Sequence, residues 1–174
     1  MARRSGLSQR AGRPADRVAG LIRIVSGGQT GADRAALDWA IARGIPHGGW
    51  CPKGRRAEDG TIPRRYQLTE TPSDGYLQRT EWNVRDSDGT VILSLGETLT
   101  GGSHRTAELA QQYGKPWLHL ARDARTRNAA KELRRFAHEH DLRILNVAGP
   151  RASAESEVGE FVRAILDLAF VRPA

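Results

Sequence analysis

Leu21-Ile22-Arg23-Ile24-Val25-Ser26-Gly27-Gly28-Gln29-Thr30-Gly31-Ala32-Asp33 is the stretch that decides the fold. A short apolar run ends in glycines, which is how a buried strand stops. Beyond the glycines, Ala35, Ala36, Leu37, Ala40 and Ile41 recur at helical spacing. Gly44 then stands where a helix takes its C-terminal cap. The stretch reads strand, glycine loop, helix.

The same order recurs downstream. Gly89 to Leu95 reads as a second buried strand, Gly96 to Ser103 as a second glycine loop, and Thr106 to Tyr113 as a helix closed by Gly114. Pro116 to Leu120 is a strand, Ala129 to His138 an amphipathic helix, Leu142 to Val147 a strand, and Glu157 to Phe170 a last helix. Tyr76 to Arg85 is a further helix, opened by Ser73-Asp74. Residues 44–75 are rich in glycine and proline, with room only for short strands near His47–Trp50 and Tyr66–Thr69. A loop of that length inside a domain is expected to be ordered and functional. Strands alternating with helices predict an α/β fold: a Rossmann-like three-layer arrangement with a mainly parallel central sheet. Residues 21–172 read as one ligand-binding domain, and residues 1–20 as a disordered basic tail.

Composition sets the outer bounds. At 174 residues with 39% hydrophobic and 27% charged side chains, the chain can bury a core without metal or disulfide. The lone Cys51 excludes an internal disulfide and any multi-cysteine cluster, and a reducing, cytoplasmic setting follows. No apolar run is long enough to cross a bilayer. The formal charge of +7 does not imply nucleic acid, because the tail's five arginines and one acid carry most of it.

Four constellations can carry chemistry. Gly27, Gly28, Gln29, Thr30, Gly31 and Asp33 lie between a strand and a helix, at the edge where open α/β sheets bind ligands. Glycine lets the backbone approach a ligand, and first-turn N–H groups suit a phosphate. The spacing matches neither common nucleotide fingerprint. A tight turn with a helix cap is the alternative. Gly101, Gly102, Ser103 and Thr106 form a second such junction. In the third, Lys53, Arg55 and Arg56 can neutralise an anion, Trp50 or Tyr66 can stack on a planar ring, and Glu58 and Asp59 can bond ring nitrogens or hold a cation. A solvated charged loop explains the same residues. Arg79, Asn83 and Asp86 share one helical face and can wall a pocket or line a surface. The histidines show no metal spacing.

Taken together and in this order, Gly27–Asp33, Gly49–Gly60, Arg79–Thr90, Gly101–Thr106 and Gly114-Lys115-Pro116 resemble the molybdenum cofactor carrier protein family. The match spans residues 22 to 168. The resemblance implies a Rossmann-like fold, a homo-oligomer (dimer or tetramer), and binding of molybdenum cofactor (molybdopterin) without catalysis. That ligand combines a pterin, a phosphate, a dithiolene and a molybdenum oxyanion. The wider superfamily includes lysine-decarboxylase-like phosphoribohydrolases, which carry Gly-Gly-x-Gly-Thr-x-x-Glu at the second loop. Here Leu109 stands three places after Thr106, Glu108 falls one place early, and Arg105 replaces the glycine before the threonine. On a helix one place is about 100° of rotation. A nucleotide N-glycosidic hydrolase using Glu108, or a nucleotide sensor, is the competing expectation.

Overall fold

A computed structural model describes residues 20, 21, 23–122 and 126–171. The predicted basic tail, apart from Gly20, and the predicted domain end at residue 172 lie outside these residues.

The central sheet has five strands, all parallel: β1 (Arg23–Val25), β2 (His47–Gly48), β7 (Gly89–Ser94), β8 (Trp117–Ala121) and β9 (Ile144–Ala148). Their spatial order is β2-β1-β9-β7-β8. The last strand made is therefore the middle one. This is the doubly wound order 3-2-1-4-5 with the chain entering one strand late.

Handedness then assigns the helices. The crossovers β1 to β2 and β8 to β9 run in one direction, and β2 to β7 and β7 to β8 in the other. Right-handed connections must pass over opposite faces. Accordingly α1 (Ala32–Ala42), α4 (Thr126–Glu139) and α5 (Val158–Phe170) share the large core with Val91, Leu93, Leu145 and Val147. Helices α2 (Tyr76–Arg85) and α3 (Gly101–Gln112) cover the other face, where Val84, Leu109 and Ala110 pack with Trp117 of β8. Side chains alternate along each strand, so that second face receives Thr90 and Ser94 of β7 and Asn146 of β9, all buried. The Asn146 amide donates to Thr90 Oγ1 at 3.1 Å. One side of the sheet is oily, and the other carries a polar seam under α2 and α3.

The glycine- and proline-rich region is ordered, as its composition predicts, but built differently. Gly49 breaks the expected strand. His47–Gly48 joins the main sheet, while β3 (Trp50–Cys51) pairs in parallel with β6 (Thr69–Glu70). Between them, β4 (Arg56–Ala57) and β5 (Gly60–Thr61) make a small hairpin. Tyr66 lies before β6 and is fully buried with Leu37, Cys51 and Ile62.

Candidate functional site

Parallel strands end at one rim, so the loops after β1, β9 and β7 emerge together. With β9 between them, the two glycine-bearing junctions are two strand spacings apart, roughly 10 Å. The sheet changes direction between β9 and β7. There one loop leaves toward α5 on one face and the other toward α3 on the opposite face, which opens a crevice.

The first glycine loop does not face that crevice with bare backbone. A Cβ on Gly27 would overlap the Arg79 guanidinium at 1.8 Å. One on Gly28, whose φ is +77°, would strike Leu68 at 2.5 Å. One on Gly31, φ +80°, would strike Pro150 O at 2.5 Å and Ala152 N at 2.7 Å. Close approach is what these glycines provide, but to the protein's own chain. The N-terminus of α1 is likewise engaged, with Ala32 N donating to Pro150 O at 3.1 Å. These glycines make room for the protein's own chain, and the first amide of α1 is spent on Pro150 O.

Its side chains are a different matter. Arg79 reaches over Gly27 and donates to buried Asp33 at 3.0 Å. Burial pushes the Asp33 carboxyl above its ordinary range, with Arg79 opposing the rise. Gly27, Asp33, Arg79, Thr80, Asn83 and Thr106 line a slot of about 20 Å³ against the polar end of β9, room for one water-sized group. So the structure does bring the first loop, α2 and α3 together. Among the described residues, two buried side-chain nitrogens find no partner, Arg79 Nε and Gln29 Nε2. Both are N–H donors, and both flank this loop. Asn83 belongs to the slot wall, but its amide is committed: it accepts from Trp50 N at 2.8 Å and donates to Trp50 O at 2.9 Å.

The second junction is open. Gly101-Gly102-Ser103 proves to be the first turn of α3 rather than a loop before it. The helix starts five residues earlier than its apolar pattern suggests, because glycine masks the period. Cβ atoms on Gly101 and Gly102 would meet nothing within 4 Å. Their amides are the first two of a helix, which no intrahelical carbonyl can satisfy. Ser103 and Thr106 are buried behind them, Thr106 Oγ1 donating to Gly102 O at 2.8 Å. Glu108 points elsewhere. Its half-exposed carboxylate accepts from Arg105 at 2.9 Å, which holds its pKa below the ordinary range.

The charged loop is mostly spent on itself. Arg55, expected to meet an anion, is only 7% exposed. Its guanidinium donates to the carbonyls of Ile62, Leu68, Pro63 and Tyr66 at 2.8–3.2 Å. It staples the loop, with four of its five N–H donors spent on backbone carbonyls. Tyr66 is no stacking platform either, since its ring is buried and its hydroxyl donates to Asp38 at 2.8 Å. Arg56 is exposed and pairs with Asp74 at 3.1 Å. Lys53 is exposed. Trp50 is half-buried, packs edge-on against Trp82 at 4.7 Å and donates to Asp86 at 2.8 Å. Asp59 takes a two-pronged bond from Arg34, which holds its pKa down. Glu58 accepts from Thr30 and Ser153. Cys51 is buried, and burial raises its thiol pKa, which disfavours a thiolate there.

Sequence reasoning missed Asn146, Arg151 and Ser153. The segment Gly149-Pro150-Arg151-Ala152-Ser153 had the usual strand-to-helix glycine signal, yet it follows the last strand, which in chain order looks peripheral. Topology puts that strand in the centre. Among the described residues, no three His, Cys, Asp or Glu side chains are placed to hold a metal ion. No described helix is long and apolar enough to cross a membrane.

A parallel doubly wound sheet with a crevice at its switch point defines a Rossmann-like α/β protein. The chain belongs to the Circularly permutated YpsA SLOG family, whose model matches residues 24–170. Permutation is what the strand order shows. The chain is also similar to a protein from Syntrophus aciditrophicus SB named "Putative molybdenum carrier protein", with a 1.45 Å crystal structure. The two share 48% identity and a TM-score of 0.84, over 86% of this chain and 95% of that one. No curated protein matches.

Proposed function

We propose that this protein binds and carries molybdenum cofactor, holding the ligand's anionic groups in the crevice between β9 and β7 without chemical change. The observation that carries the reading is the orphaned buried donor Arg79 Nε, on a residue that shares its slot with Thr106 of α3, the helix whose first two glycines face open space. Buried donors without acceptors cost about 1–3 kcal/mol each, so the site is complementary to an acceptor-rich, negatively charged group. These residues fit a phosphate-bearing pterin: Gly101, Gly102 and the Arg79 side chain for anionic oxygens, and Trp50 at the periphery for a planar ring. The cargo brings its own dithiolene for the metal, so no protein metal cluster is required.

The hydrolase alternative has less support. Its carboxylate would have to protonate or orient a leaving group from within the crevice. Glu108 is instead paired with Arg105 on a half-exposed helical face. The 48%-identical relative bears a carrier's name. We further assign the protein to the cytoplasm, where a single reduced Cys51 is stable, and to a homo-oligomer whose interface would cover either exposed Leu77 and Tyr113 on the α2–α3 face or exposed Ile41 and Leu168 on the α1–α5 face.

Purification with and without cofactor supplied tests the carrier reading. Bound molybdenum and the fluorescence of the oxidised pterin should both rise toward one per chain. Absence of both, together with release of free base from nucleoside monophosphates, overturns it.

A further inference from the structure

The tip of the β4–β5 hairpin makes contacts unlike those of a solvated loop. Its Glu58 carboxylate lies in a nest of donors drawn from two other segments. The hydroxyls of Thr30 and Ser153 both donate to it, and Ser153 N donates to Oε1 at 3.2 Å. Arg151 stands 3.9 Å away. The Thr30 hydroxyl is oriented for this role, since it accepts from Ala152 N at 3.1 Å and so turns its own proton toward Glu58. These donors hold the Glu58 pKa below the ordinary range, Ser153 contributing most.

Two hydroxyls, a backbone N–H and a guanidinium are the donor set that proteins use for phosphate oxygens. A second observation points the same way. Gln29 is 6% exposed and gives its Oε1 to Thr30 N and Glu58 N, yet its Nε2, on the same amide, has no acceptor. A carboxylate has two oxygens, and both are already engaged by the Thr30 and Ser153 donors. A tetrahedral dianion has more oxygens and more charge.

We propose that Thr30, Arg151 and Ser153 form an oxyanion subsite that Glu58 plugs from within, and that a phosphate-type dianion displaces it and frees the hairpin. The proposal rests on the reading of the rim as an anion-binding site, and adds its regulation. The rest of the hairpin is held by few contacts: Glu58 N donates to Gln29 Oε1 at 3.0 Å, Arg34 pairs with Asp59 and exposed Arg56 with Asp74, and its strands pair over only two residues each. Ligand entry and hairpin release are then one equilibrium. A plug closed nine-tenths of the time weakens apparent affinity about tenfold.

Inorganic phosphate is the probe, titrated by calorimetry into wild type, Glu58→Ala, and Glu58→Ala combined with Ser153→Ala. Glu58→Ala should bind phosphate at least about tenfold tighter. The double variant should lose that gain, because the nest has lost its leading donor. In wild type, phosphate should also speed tryptic cleavage after Arg56, whose bond lies in the hairpin. Should Glu58→Ala prove unstable, Glu58→Gln, which keeps an acceptor but removes the charge, should show a smaller gain of the same origin. No gain overturns the plug. A gain that survives Ser153→Ala also overturns it, since loss of a negative charge alone would then be the cause. Cofactor loading is a separate readout. Normal loading without a phosphate gain sinks the plug alone, and a phosphate gain without loading sinks the carrier alone.

Discussion

Gly102→Asp separates a ligand-binding helix terminus from a merely structural one. A side chain at Gly102 meets no atom within 4 Å, and its φ is not in the left-handed region, so the fold accepts it. Asp has a slightly better helix propensity than Gly, worth about 0.3 kcal/mol. A carboxylate in the first turn of a helix adds about 0.3–1 kcal/mol through the macrodipole. The variant should therefore be more stable by about 0.6–1.3 kcal/mol, a rise in Tm of roughly 1–5 °C for a domain of this size. Ligand binding should move the other way. A new charge about 5 Å from an anion costs about 3 kcal/mol at an effective dielectric of 20, or more than a hundredfold in affinity. Calorimetric melting and bound molybdenum, measured on the same preparation, check both. A variant with raised Tm and unchanged loading would refute the placement of the ligand at α3. A variant with lowered Tm would refute the reading of this turn as open.

Other expectations follow from the same contacts. Arg79→Ala leaves Asp33 buried without its cation and should cost about 3–5 kcal/mol at neutral pH. Burial of Asp33 is then opposed only by its hydrogen bonds from Gln29 N and the Ser26 side chain, so its pKa rises further, and the folded state binds a proton that the unfolded state does not. The deficit should shrink as pH falls below that raised value, which denaturant unfolding at pH 5 and pH 7.5 will show. Gly31→Ala and Gly44→Ala both force a left-handed residue, about 1 kcal/mol. Only Gly31 is also walled by the 150–152 backbone, so thermal melts should show its variant to be the less stable by a clear margin. Glu108→Gln should change stability by less than about 0.5 kcal/mol and leave ligand retention untouched. Loss of retention in that variant would reopen the hydrolase reading.

The sheet, its parallel sense and nearly every helix were legible in the sequence, because those features are local. Val91-Ile92-Leu93 is apolar throughout, and α4 has its period plainly displayed. The site was legible only as a set of residues. Gln29, Thr30, Glu58 and Arg79 do meet at the rim, but what each one does there depends on partners far along the chain. Gly31 is a glycine because Pro150 passes above it, and Arg55 is an arginine because four carbonyls of residues 62–68 surround it. No spacing rule encodes either fact. Gly101 and Gly102 erred in the opposite direction. They read as a loop because glycine lacks a helical signature, and only the coordinates show a helix left bare.

The position of β9 ties these observations into one argument. β1 and β2 form one half of the sheet, β7 and β8 the other, and β9 alone bonds to both halves. Its own loop supplies Pro150 to cap α1, Ala152 to orient Thr30 and Ser153 to hold Glu58. Its side chain Asn146 lines the slot beneath Arg79. The donors contributed by the first half and the open turn contributed by the second therefore face one crevice only once the last strand is seated. In an unpermuted sheet the central strand and its phosphate loop come first, with the fingerprint at the chain's beginning. Here the glycine-rich opening motif belongs to a neighbouring strand, and its Gly31 packs against the loop of the central one. That difference explains why this protein carries neither common nucleotide fingerprint while keeping the crevice that the fold provides.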